Sequence, residues 1–138
     1  MRYNVDMNDA IERLKAAWQS RGTRESVELP LPISHHNKGG HKNAWKIEAQ
    51  IALVALRRPD AATFELVLDC YGPWWKNGNL DKQMPDAKNM LWDTEDFIAE
   101  CLKFDDTQNH RVIVNKHESK RAYCVVTLRP CPPLVPGR

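Results

Sequence analysis

The chain has 138 residues, enough for one domain around a single core and too few for two ordinary ones. Its 20 Lys and Arg against 18 Asp and Glu leave a net charge of only +2, so any basic surface must come from segregation of charge and not from excess. Four cysteines without C-x-x-C spacing or paired histidines argue against a zinc site and predict free thiols in a reducing compartment. The first twenty residues are charged and amphipathic and no long apolar run occurs, which excludes a signal peptide and a membrane span as expectations.

In chain order, Asp6 or Asn8 caps a first helix running to about Arg21, stopped by Gly22, with Ile11, Leu14, Ala17 and Trp18 on one stripe that should pack on the body. A strand over 26–31 ends at Pro32. The polar loop SHHNKGGHKN leads into a helix from about Asn43 to Arg57, whose apolar face holds Trp45, Ile47, Ile51, Val54 and Ala55. Residues 63–71, TFELVLDCY, alternate as a strand. The long turn-rich loop 72–85 precedes a helix over 87–103 with Asp86 as its N-cap. Two final strands, HRVIVNKHE and KRAYCVVTLRP, joined at Ser119, predict a terminal hairpin, followed by a proline-rich tail. The order helix, strand, helix, strand, helix, two strands predicts an α+β fold: a small mixed β-sheet with helices packed on one face.

The run PDAKNMLWDTEDFIAECLKFDDTQ, residues 85–108, carries the chemistry. Asp86 stands at one end of a helix and Asp105 and Asp106 just past the other. Hard carboxylate oxygens are the ligands Mg2+ takes alongside water and phosphate. About fifteen helical residues at roughly 1.5 Å each hold those ends roughly 20 Å apart. One copy of the helix therefore cannot close both ends on one ion. Either the 72–85 loop folds back, or two chains pair these helices antiparallel about a two-fold axis. The same residues also suit plain capping and turn formation. Around Gly39 and Gly40, His35, His36, Lys38, His41, Lys42 and Lys46 form a basic loop in which backbone amides and lysines can meet phosphate. Trp74, Trp75 and Lys76 pair aromatic rings with a cation, as base-stacking surfaces do, or close over the sheet as core. Lys116, Lys120 and Arg121 would extend a phosphate-tracking surface from the last hairpin.

The segment ELPLPISHHNKGGHKNAWKIEAQ, Glu28 to Gln50, together with Asp86, Lys88 and Asn89 at D-x-D-N positions and Asp105, Asp106 and Gln108 at D-D-x-Q positions, resembles the RusA-type Holliday junction resolvases over roughly Glu25 to Pro130. The resemblance implies a RusA-like nuclease domain over 23–130, an added N-terminal helix over 1–22 and a tail over 131–138. It further implies a homodimer that cuts four-way DNA junctions by paired Mg2+-dependent nicks in recombination and repair, with Mn2+ as a substitute metal and no organic cofactor or membrane. Its setting would be the cytoplasm of a bacterial or phage-infected cell. Asp86, Asp106 and Asp105 would hold metal; Asp86, Asp106 and Lys88 would form the catalytic set; and Asn89 would join the basic loop and the tryptophans on DNA. The chain departs from the family at two places. Lys88 stands where a carboxylate is expected, and Trp92 stands where a helix lysine is expected. Asp81, Asp69 or Asp105 would then supply a third carboxylate. An ammonium at a metal position opposes the cation by several kcal/mol at ~4 Å and an effective dielectric near 20. A branched-DNA-binding protein with weakened or lost catalysis is therefore the alternative, with a small protein-interaction domain as a third reading.

Overall fold

The structure is a computed structural model that describes residues 6–32, 40–81 and 87–132; the side chains of residues 41, 42, 88, 89 and 92 lie outside the description. The elements are α1 (Met7–Trp18), β1 (Ser26–Leu29), α2 (Gly40–Leu53), β2 (Phe64–Gly72), β3 (Trp75–Lys76), β4 (Asn79–Leu80), α3 (Ala87–Leu102), a single 3-10 turn (Asp106–Gln108), β5 (Asn109–Glu118) and β6 (Tyr123–Pro130). This is the expected α+β class. The main sheet is mixed, in the order β1-β6-β2-β5, with β2 and β5 parallel and β6 antiparallel to both β1 and β2.

That order corrects the expected terminal hairpin. β5 and β6 do not pair, because β2 lies between them, in register with Asn109–Glu118 on one side and Tyr123–Pro130 on the other. The physical reason is burial. β2 is the most enclosed strand, and its even positions Phe64, Leu66, Leu68 and Cys70 are all fully buried. Such a strand loses least when both its edges and one face are covered.

The even positions of β2 and β6 and the odd positions of β1 point to one side of the sheet. There Val27, Leu29, Phe64, Leu66, Leu68, Cys124, Val126 and Leu128 share a core with Trp45, Ala49 and Leu53 of α2 and Met90, Ile98 and Ala99 of α3. Both helices thus cover one face. Trp45 ties them together, its ring 5.6 Å from Phe97 and its Nε1 donating to the Pro30 carbonyl at 3.0 Å. The buried stripe of α2 differs from the expected one. Ala44, Trp45, Ala49 and Leu53 face inward, while Ile47, Ile51, Val54 and Ala55 are only half-buried.

Asp6 caps α1 by accepting from the Asn8 and Asp9 amides. α1 docks on α2 through Ala10 and a two-pronged Arg13–Glu48 pair at 2.6 and 2.7 Å. The expected packing stripe is only half used, since Leu14 and Ala17 are half-covered and Ile11 and Trp18 are exposed. The four cysteines are free, as expected; Cys70 and Cys124 oppose one another across β2 and β6 with their sulfurs 3.7 Å apart. Cys131, assigned to the tail from sequence, belongs to the body: it is buried and its amide donates to the Thr63 carbonyl at 2.9 Å. No helix among the described residues is long and apolar enough to cross a membrane.

Candidate functional site at the exit of α3

α3 ends in a way that aims the following residues. Lys103 adopts a left-handed conformation (φ 61), the Phe104 amide donates back to the Ala99 carbonyl at 3.0 Å, and Phe104 turns inward onto Phe64 with ring centroids 4.9 Å apart. A left-handed lysine costs roughly 1–2 kcal/mol, which the burial of Phe104 offsets. Arg58 steadies the turn by donating to the Lys103 carbonyl at 2.6 Å.

The D-D-x-Q run then divides its labour. Asp105 caps the 3-10 turn, its Oδ1 accepting from the Thr107 amide at 3.0 Å and the Thr107 hydroxyl at 2.9 Å. The Gln108 side chain closes a capping box, accepting from the Asp105 amide at 3.1 Å and donating to the Ala62 carbonyl at 3.2 Å. The Thr107 amide, and then its hydroxyl, hold the Asp105 carboxyl below its usual range. Asp106 has the opposite environment. It is solvent-exposed, yet its carboxyl is held above the ordinary value by local crowding and by the Asp96 and Asp105 carboxyls beside it. Glu95, one residue before Asp96 on α3, is raised as well, chiefly by burial and then by Asp106 and Asp96, against the pull of the Asn109 amide at 3.0 Å. The other end of that amide, Asn109 Oδ1, is buried without a hydrogen-bond partner among the described residues.

The exit of α3 therefore collects Glu95, Asp96 and Asp106, of which only Asp106 is foreseeable from the motif. Glu95 and Asp96 lie eleven and ten positions upstream, and what brings them to Asp106 is the return of the chain after Lys103. Glu95–Asp96 on a helix flanked by Asp105–Asp106 past its end is the only sequence signal that would have pointed to them. The raised carboxyls of Glu95 and Asp106 suit a hard divalent cation in kind, since a cation favours their charged forms. In arrangement the described residues fall short: no group of three His, Cys, Asp or Glu among them is placed to hold a metal ion.

Other expected site residues are distributed differently. Asp86, His35, His36 and Lys38 lie outside the described residues, as do the side chains of Lys88, Asn89, His41 and Lys42. Lys46 is exposed on α2, its Nζ 5.8 Å above the Phe97 ring. Asp69 does not come to Asp106. It lies opposite Asn115, six residues along β5 from Asn109 and so roughly 20 Å away. There it accepts from Asn115 at 3.0 Å and pairs with His117 Nε2 at 2.8 Å. Partial burial works against its charge, but those donors win and hold its carboxyl below the usual range. Asp81 follows β4, its amide donating to the Trp74 carbonyl at 2.8 Å.

The two tryptophans part company. Trp74 is 5% exposed and belongs to the core. Its Nε1 donates to the His117 carbonyl at 2.8 Å, its amide to Glu118 at 3.0 Å, and Lys116 Nζ sits 4.6 Å over its ring. It is thus not available to stack on a base, because its ring is enclosed and its polar atom engaged. Trp75 is 55% exposed, opposite Leu80 in a two-stranded hairpin that the expected loop conceals. Asn77 (φ 53) and Gly78 (φ 80) close that hairpin with both central residues left-handed, and the Asn-Gly pair was its legible signal. Lys76 is exposed beside Trp75, and Lys120 and Arg121 are exposed at the β5–β6 connection, with Arg121 held by Glu28 at 2.8 and 3.2 Å. In comparison with known proteins, no family model and no curated sequence matches the chain.

Proposed function

We propose that the protein is a Mg2+-dependent, structure-specific endonuclease acting on branched DNA, of the Holliday junction resolvase kind, and that it works as a homodimer. The observation that carries this reading is Asp106: the one carboxylate of the D-D-x-Q run left over from turn formation, crowded by Asp96 and Asp105 at the exit of α3. Asp106 and Asp86 would be the principal metal ligands. Asp106 returns to Asp96, nine residues and so roughly 14 Å from the start of α3 at Ala87, and a second chain with its α3 antiparallel would bring its own Asp86 closer to Asp106. Glu95 and Asp96 are better placed than Asp69 or Asp81 to supply the additional carboxylate that Lys88 leaves wanting. Bound Mg2+ would polarise the scissile phosphate and favour deprotonation of a water. The chain's own part is to hold the backbone with Lys46, Lys76 and the basic loop, and to present Trp75 to an unpaired base.

Lys88 favours a second reading, a branched-DNA-binding protein without chemistry, because it would bring a positive charge to a metal position. The two separate in one experiment. A labelled four-way junction and a matched linear duplex are incubated with the full chain, with and without Mg2+, and binding and cleavage are followed together. Paired, Mg2+-dependent nicks confined to the junction support the nuclease. Selective binding without nicks in Mg2+ or Mn2+ establishes the non-catalytic reading, and equal treatment of junction and duplex sinks both.

A further inference from the structure

The face of the sheet turned away from the helices carries a second charged constellation, at the same end as Asp106. Glu65 of β2 lies in register between Arg111 of β5 and Arg129 of β6. It accepts from Arg111 Nη1 at 2.9 Å and from Arg129 Nε at 2.7 Å. Glu65 is 8% exposed, whereas both arginine side chains are 54% exposed. Two guanidiniums on one carboxylate leave a net charge of +1. Each guanidinium has five N–H donors, of which Glu65 engages one in these bonds. A buried carboxylate between two arginines is rarely the most stabilising choice, since apolar residues of similar volume often serve as well. What the arrangement does supply is two planar forks fixed in direction and open to solvent.

Its place is as informative as its charge. The 3-10 turn that presents Asp106 runs directly into β5 at Asn109, which is bonded to Glu95. The register then shifts, Phe64 opposing Asn109 and Glu65 opposing Arg111, so His110 is taken up in a bulge. Arg111 thus stands two residues, roughly 7 Å, along the strand from Asn109.

We propose that Arg111 and Arg129, pinned by Glu65, form a phosphate clamp that grips a DNA backbone phosphate at the same end of the sheet as the carboxylates at the exit of α3, on its opposite face. The DNA as source of that phosphate rests on the nuclease reading; the clamp itself rests on the Arg–Glu–Arg geometry. Bidentate donation to phosphate oxygens is what guanidinium forks do best.

The test measures junction binding by fluorescence anisotropy over a series of salt concentrations, using the full chain and the variant E65Q/R111Q/R129Q, which leaves no buried charge unpaired. Thermal melting confirms that the variant is folded. The clamp predicts at least about tenfold weaker binding at low salt and a slope of log K against log salt shallower by about one, the share of a single phosphate. R111K/R129K should keep the slope and lose affinity several-fold, because the charge remains and the fork does not. An unchanged slope and affinity in folded E65Q/R111Q/R129Q overturns the clamp while leaving the nuclease reading standing. If the wild-type chain binds no DNA, that reading falls instead. Inorganic phosphate followed on the arginine Nε–Hε NMR signals then decides the clamp: selective shifts of Arg111 and Arg129 support it, and their absence overturns it.

Discussion

The two ends of the β2–β5 pair hold the same kinds of side chain in opposite electrostatic conditions. At the end where these strands finish, several polar groups have found a donor or acceptor. Asp69 has Asn115 and His117, Glu118 has the Trp74 and Trp75 amides, and Trp74 Nε1 has the His117 carbonyl. The result is a lowered Asp69 carboxyl and an enclosed indole. At the end where they begin, Asp106 faces other carboxylates, Glu95 is raised, and Asn109 Oδ1 has no partner among the described residues. Satisfied groups hold the fold together. A surplus of negative charge does not; it favours a cation and opposes a phosphate, for which Arg111 and Arg129 at the same end carry the matching charge.

Trp74→Ala, at the satisfied end, should cost about 3–5 kcal/mol of stability, as expected for a buried tryptophan, read from denaturant unfolding. A cost under ~1 kcal/mol would mean the enclosure of Trp74 is not structural. Asp106→Asn, at the unsatisfied end, should do the reverse: at least ~100-fold slower junction cleavage, several kcal/mol of lost transition-state stabilisation, with binding retained and thermal stability at pH 7 equal or higher. A folded Asp106→Asn protein that cleaves normally would remove Asp106 from the site.

Trp75→Ala should leave stability within ~0.5 kcal/mol and weaken junction binding by about 1 kcal/mol, or more if a full base stack is lost. Equal loss on linear duplex would argue against contact with an unpaired base. Asp69→Asn should cost about 1 kcal/mol of stability at pH 7 from weakened charge-assisted hydrogen bonds. Because the Asp69 carboxyl is depressed in the fold, that advantage should be present above the ordinary carboxyl range near ~4 and vanish as pH falls through the folded value. Asp106 has the opposite sign, being raised. The stability gained by Asp106→Asn should be largest above the raised value and close as the pH falls and the wild-type carboxyl takes up its proton. Melting curves of both variants from acid to neutral pH would show the two gaps closing with opposite signs.

Much of the fold was legible because its signals are local. α3 starts and ends within a residue of expectation, and β2 within a residue of its predicted start and end, since apolar spacing and flanking turn residues act over a few positions. Asp6 caps α1 as expected for a short acceptor ahead of an apolar stripe. Less was legible at the site. Asp106 stands in a recognisable run, but its neighbours Glu95 and Asp96 look like ordinary solvated helix positions until Lys103 turns the chain back on them. The Trp74–Trp75 pair offers two identical rings to any sequence rule, and only the carbonyl of His117, more than forty residues away, selects which one is enclosed.

Periodicity, capping and turn chemistry are short-range, and they placed most of the helices and strands, offered Asp6 as one of two caps for α1, and indicated an α+β fold with four free thiols, while the β3–β4 hairpin went unread. The tertiary structure alone decided that β2 separates β5 from β6, that Glu65 joins Arg111 to Arg129, and that three carboxylates converge at the exit of α3. Those outcomes depend on which long-range pairing buries the most apolar surface, and the polar groups then take the positions which that burial leaves them.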